Sequence, residues 1–178
     1  MIIKGERIYL KSINEDDTDL IIKWRNNPRV RENFIFQEKF TEKIHNDWLK
    51  NKVYTGDTAQ FIIIEQKTNK PLGSVYLRDI DKINKKAEFG IFIGEDDFRG
   101  KGYGKEATSQ IITYGFSQLK LNKIFLRVLE NNAIAINSYI KSGFKKEGLF
   151  KEDVVIRDKH CDIVFMAMLK SDWRKMHE

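Results

Sequence analysis

The sequence holds one cysteine, Cys161, two prolines, and no apolar run long enough to span a bilayer. A lone thiol rules out an internal disulfide and makes the cytoplasm the expected compartment. The longest apolar stretches, Phe61–Ile64 and Ile163–Leu169, fall far short of the roughly 20 residues a membrane helix requires, so no membrane partner is expected. The start, Met1-Ile2-Ile3-Lys4-Gly5-Glu6-Arg7, turns polar too early for a signal peptide. Histidine is scarce too: His45, His160 and His177 show no spacing suited to zinc, and no metal is expected. His160 and Cys161 are neighbours on a predicted strand, so they face opposite ways and form no nucleophile–base pair. Repeats, low-complexity tracts and linker-like stretches are also missing. The 178 residues, 41% of them hydrophobic, therefore predict a single domain over 1–178 with a proper core.

Charge is plentiful but mixed. Lys and Arg number 32 against 26 Asp and Glu, a net charge of +6 with a pI of about 9.2. A nucleic-acid-binding module would gather that excess on one face or in a tail and bind with strong salt dependence. Here the signs alternate along the whole chain, so no nucleic-acid partner is expected, whereas an anionic cofactor is.

Periodicity orders the chain as strand, two helices, three strands, helix, strand, helix and two strands. A strand falls near Arg7–Lys11, and Asn14, Glu15, Asp16 and Asp17 open a helix with Leu20, Ile21 and Trp24 as its apolar face. Asn26-Asn27-Pro28 ends it. Thr41 caps a second helix carrying Ile44, Trp48 and Leu49 at helical spacing. Gln60–Glu65 and Leu72–Leu77 form a hairpin around Thr68-Asn69-Lys70-Pro71; a polar bend over Asp79–Lys86 leads to a strand at Ala87–Ile93. A helix over about Tyr103–Leu119, a strand at Lys123–Leu129, a helix at Ala133–Lys141 and strands near Lys145–Lys151 and Cys161–Leu169 complete the order. The fold class is α/β: a mixed, mostly antiparallel central sheet of about seven strands flanked by about four helices.

Between the strand at Ala87–Ile93 and its helix lies Arg99-Gly100-Lys101-Gly102-Tyr103-Gly104. Alternate glycines let backbone N–H groups converge on an anion, the helix N-terminus adds its dipole, and Arg99, Lys101 and Lys105 add charge. A diphosphate is the natural guest. The Rossmann fingerprint fails because Lys105 stands where glycine is needed; a P-loop fails at Arg99 and Glu106. A tight turn with no ligand is the competing reading.

The loop does resemble the pattern Arg/Gln-x-x-Gly-x-Gly/Ala that opens the acetyl-CoA site of the GNAT superfamily of N-acetyltransferases. Downstream, Asn132-x-x-Ala135-x-x-x-Tyr139-x-Lys141-x-Gly143-Phe144 is similar to a second signature of that superfamily, and Ala87–Ile93 agrees just before the loop. Arg7-Ile8-Tyr9-Leu10, the acidic helix start and Trp24-Arg25-Asn26 resemble the RimJ/RimL-like branch of ribosomal-protein, spermidine and amino-sugar acetyltransferases. The resemblance runs from about Ile8 to Leu169 and implies a GNAT fold, acetyl-CoA as co-substrate, and a small-molecule amine or protein N-terminus as acceptor. A non-catalytic acyl-CoA sensor would keep the same fold. Dimers are common for the fold, which leaves a homodimer open.

The resemblance implies that Arg99, Gly100, Lys101, Gly102, Tyr103, Gly104 and Lys105 hold the diphosphate, and that the pantetheine arm lies along Ile91, Phe92 and Ile93. A backbone N–H there polarises the thioester. Tyr139, neutral at pH 7, is the candidate acid for the departing thiolate, against a packing role for its ring. Glu88 is the candidate base, acting through water, against a plain ion pair with Lys or Arg. Asn132 fits both a helix N-cap and a bond to the cofactor arm, and Asn137 one turn on is a further candidate. For the acceptor, the same architecture points to the first two helices and the last hairpin, with Trp24, Arg25, Asn26 and Arg31 as candidates beside Glu32 and Glu38. Arg25, Arg29 and Arg31 against two carboxylates tilt that region toward an anionic or neutral acceptor.

Overall fold

The computed structural model describes residues 1–177. Among them eight strands form one sheet: β1 (Ile2–Lys4), β2 (Ile8–Ser12), β3 (Ala59–Glu65), β4 (Pro71–Asp81), β5 (Lys86–Ile93), β6 (Lys123–Leu129), β7 (Lys145–Ile156) and β8 (Lys159–Leu169). Six α-helices accompany them: α1 (Thr18–Asn26), α2 (Pro28–Arg31), α3 (Glu42–Trp48), α4 (Tyr103–Ser117), α5 (Ala133–Lys141) and α6 (Lys170–Lys175). The strand order is β1-β2-β3-β4-β5-β6-β8-β7, and β5–β6 is the one parallel neighbour pair in it. No helix among the described residues is long and apolar enough to cross a membrane.

The sheet is covered on both faces, which is why Phe61-Ile62-Ile63-Ile64 reads as an unbroken apolar run. Phe61 and Ile63 pack with Ile111 and Phe116 of α4, while Ile62 and Ile64 pack with Ile21 and Trp24 of α1 and with Phe92. Strand alternation thus feeds two cores from one strand. β5 obeys the same rule: Phe89 belongs to the α4 side and Phe92 to the α1 side.

The parallel pair matters most for the site. β5 and β6 are in register only at Lys86–Glu88 against Lys123–Phe125, although β5 continues to Ile93 and β6 to Leu129. Beyond Glu88 the two strands part. Gly94 donates to Leu72 of β4, so alternation turns the backbone groups of Ile93, Ile91 and Phe89 away from β4 and toward the gap.

The expected counts of about seven strands and about four helices fall short by β1, α2 and α6, segments of three to six residues that are too short to carry a readable period. β4 also runs on to Asp81, because Arg78 pairs with Glu88 and Asp81 with Lys86 across the stretch expected to be a bend. The boundaries of β6 and α5 agree with the sequence reading to the residue.

Candidate active site

A cavity of about 950 Å³ occupies the gap between β5 and β6 and extends under α1 and α3. One mouth is the glycine loop. Gly100 and Gly102 both take positive φ, 72° and 86°. Gly102 is the N-cap of α4 and offers no side chain, so the first-turn amides of the helix, Tyr103 to Lys105, lack an intrahelical acceptor. Arg99, Gly100, Gly102, Tyr103, Gly104 and Lys105 all line the cavity here. Free amides, a helix dipole and two cations make this mouth an anion cradle that suits a diphosphate.

The cradle is braced from behind. Arg7 stacks 4.8 Å from the Tyr103 ring centre, donates to the Lys101 carbonyl at 3.0 Å and pairs with Glu106 at 3.0 Å. Glu106, the residue that spoils the P-loop pattern, accepts from the backbone amides of Glu6, Arg7 and Ile8. It ties α4 to the start of β2. Lys101 does not line the cavity; its carbonyl is taken by Arg7 and its ammonium lies 5.4 Å from the Phe98 ring.

Deeper in, Ile91, Phe92 and Ile93 line one wall and Tyr139 of α5 the other. The Tyr139 ring is set edge-on to Phe89 at 5.9 Å and Phe144 at 6.0 Å. Burial, with Tyr76 adding to it, pushes its phenol well above the ordinary value. Tyr76 lies over Gly90, where a Cβ would come within 2.3 Å of its ring, and its phenol is also raised by burial against the pull of Arg78 and Arg25. Asn132 caps α5 by accepting from Ala135 at 3.2 Å and gives its amide N–H to Asn33 at 3.0 Å, while still lining the cavity. Asn137 is exposed and outside the lining. Two residues beyond Ala135, it lies about 200° around the helix from the inward face.

Glu88 is 5% exposed and lies between two guanidiniums. Arg78 donates to Oε2 at 3.1 Å, and Arg127 donates to both carboxylate oxygens at 3.0 and 3.1 Å. Burial pushes its carboxyl up, but the hydrogen bonds from Arg127 and Arg78 outweigh that and leave it below the usual value. Of the two readings of Glu88, a base acting through water and an ion pair with Lys or Arg, this geometry matches the ion pair: the carboxylate is committed to an ion-pair cluster. Arg78, Arg127 and Tyr76 were missed from the sequence, although each is the polar member of an alternating strand.

On the α1 side the candidates separate. Arg25 lines the cavity. Trp24 is fully buried, donates to Glu95 at 2.8 Å and meets Phe92 edge-on, so it is core. Asn26 clamps the backbone of Phe40 from both sides, at 2.8 and 2.9 Å, holding the 33–41 segment as a cavity wall. Arg31 lies outside the lining; Arg29, one position beyond Pro28, is in it. His45, fully buried with both ring nitrogens unpartnered, and Trp48, bonded to Gln60 at 2.7 Å, close the far end. Among the described residues no cluster of three or more His, Cys, Asp or Glu is placed to hold a metal.

Residues 7–145 match the family model described as an acetyltransferase (GNAT) domain. The chain is 27% identical over 174 residues to the spermidine N(1)-acetyltransferase of Vibrio cholerae, covering 98% of this chain and 99% of that one. It is also 27% identical over 172 residues to an uncharacterized N-acetyltransferase, p20, of Bacillus licheniformis, covering 94% and 96%. Among solved structures, spermidine N-acetyltransferase from Vibrio cholerae in complex with CoA and spermine superposes with a TM-score of 0.88 at 24% identity, covering 96% of this chain and 99% of that chain. A dodecameric structure of the same enzyme gives 0.83 at 25% identity, covering 98% and 100%.

Proposed function

The chain belongs to the GNAT acetyltransferase family and is an acetyl-CoA-dependent N-acetyltransferase, and from that premise we propose that it moves the acetyl group directly onto the primary amine of a small molecule in the cleft between β5 and β6. The observation that carries this reading is the cleft itself: an anion cradle at one mouth, outward-turned backbone on Ile91 and Ile93, and Tyr139 facing them. The cradle amides and Arg99 and Lys105 hold the diphosphate, and the β5 edge takes the pantetheine arm as an extra strand would be taken.

Transfer forms one C–N bond and breaks one C–S bond. A backbone amide at Ile91 or Ile93 stabilises the carbonyl oxygen as it gains charge. Tyr139 gives its proton to the departing sulfur. Because burial disfavours tyrosinate, Tyr139 must regain a proton at once, and the amine nitrogen sheds one as it is acylated. For an amine that has left its ammonium proton in solvent and enters neutral, the two transfers balance without a carboxylate base, which agrees with Glu88 being fully engaged. The Vibrio cholerae relative makes a polyamine one acceptor to test, and the dodecamer of that enzyme supports a multimer here.

The reaction is tested by free-thiol release from acetyl-CoA over a panel of primary amines, with mass spectrometry of the products. Stoichiometric thiol and N-acetyl amine are expected. Tight acetyl-CoA binding with no product from any amine would overturn the catalytic reading in favour of a sensor.

A further inference from the structure

The ionisable groups around the inner cavity are unbalanced. Glu88 is its one carboxylate among the described residues, and both oxygens are already bonded to Arg78 and Arg127. A third guanidinium, Arg25, has no carboxylate partner at all. It is 8% exposed, its Cζ stands 3.4 Å from the Phe34 ring centre and 5.0 Å from that of Phe40, and its Nη2 reaches the Phe36 carbonyl only at 3.4 Å. Nη1 has no partner. Burial lowers the Arg25 pKa to about 10, which is what an uncompensated buried cation does. Arg25, Tyr76, Arg78 and Tyr139 all line the same cavity, so the unpaired cation and the reacting end belong to one space.

A polycation entering this space would lose hydration and meet three guanidiniums against one carboxylate that is already in use. An oxyanion would meet the reverse. We propose that the acceptor is a primary amine bearing an oxyanion, carboxylate or phosphate, which seats against Arg25 while its amine reaches the Tyr139 end of the cavity. Seating requires the Phe34–Phe40 wall to shift enough to uncover Nη1, and Asn26 is the clip on which that wall is held. The inference rests on the acetyl-transfer reading for the reaction but not for the binding.

The experiment uses a matched set: pentylamine, cadaverine, aminovalerate, aminopentyl phosphate and spermidine. Binding to the CoA-saturated protein is read by calorimetry, and turnover by thiol release with acetyl-CoA. Aminovalerate or aminopentyl phosphate should bind at least about tenfold tighter than pentylamine, with cadaverine and spermidine weaker than either. Which of the two wins identifies the oxyanion. Arg25→Met should abolish the gain and Arg25→Lys retain part of it, with melting curves verifying that both variants fold. Equal or tighter binding of spermidine or cadaverine overturns the inference, as does an anion preference that survives in Arg25→Met or the failure of every amine to bind. Anionic amines that bind but yield no thiol would support the seat and overturn the transfer reaction. Thiol release fastest with spermidine would overturn the seat and uphold the transfer.

Discussion

Tyr139 meets the cavity with a hydroxyl whose proton is hard to remove, and Glu88 with a carboxylate that is hard to protonate. The two environments divide the labour. Tyr139→Phe keeps the ring packing against Phe89 and Phe144 and deletes only the proton, so acetyl-CoA affinity should hold while kcat falls about 10²-fold. Steady-state kinetics checks this; a kcat near wild type removes Tyr139 from the reaction. Glu88→Gln should act on stability instead. It leaves Arg78 and Arg127 sharing a neutral amide, at a cost of roughly 2–3 kcal/mol, discounted below the usual range for a broken buried pair because both arginines are partly solvated. The Glu88 carboxyl lies below its ordinary 4.5 in the folded state, so its contribution is present above that value and lost as pH falls through the folded one. The wild type should therefore lose more stability than Glu88→Gln as pH drops below 4.5, while the pH–rate profile near neutrality stays the same in both.

At the scale of elements, legibility followed how much local chemistry each element carries. β6 and α5 were readable to the residue because apolar runs end at Asn131-Asn132 and at Gly143, which cap and stop what they flank. The glycine loop was readable because Gly100 and Gly102 adopt a backbone that other residues resist. What escaped was tertiary. Trp24, Asn26 and Arg31 neighbour Arg25 in sequence, but only its side chain reaches the inner cavity, because the wall at Phe34–Phe40 folds over that one position. α3 shows the same limit. Ile44, Trp48 and Leu49 suggest one apolar face, yet of the three only Leu49 is fully buried, together with His45 four residues before it. Burial holds the His45 pKa below 6.5 despite the pull of Asp17. As pH falls below 6.5 the unfolded chain takes up a proton that the folded one refuses, so stability drops. His45→Leu removes both the unpartnered ring nitrogens and this linkage. Its melting temperature should match or exceed the wild type at pH 7 and fall less on acidification toward pH 5; an unchanged acid slope would acquit His45.

For the whole molecule, the sheet ends on β7, an edge strand of twelve residues with Leu149 and Phe150 45% exposed and Val155 60% exposed. Six of its twelve residues are charged, yet the exposed Leu149, Phe150 and Val155 leave apolar steps along an edge that has no strand beside it, and such an edge is a template for pairing. A net charge of +6 spread over mixed signs is too small to keep copies apart at physiological salt. The edge therefore supplies a physical reason for the multimer proposed above. Light scattering should give a mass at least twice the 21.0 kDa of one chain at micromolar concentration. Val155→Asp places a charge on the exposed side of β7, opposite His160 in the register and away from the cavity lining. It should shift the mass toward a single chain while acetyl-CoA affinity stays within about twofold, since the cradle is built from the glycine loop and the first turn of α4, braced by Arg7, and takes no residue from β7. A wild-type mass of 21.0 kDa would remove the multimer. An assembly that withstands Val155→Asp would move the contact to another surface, and loss of acetyl-CoA binding in the dispersed variant would mean that a neighbouring copy completes the cleft.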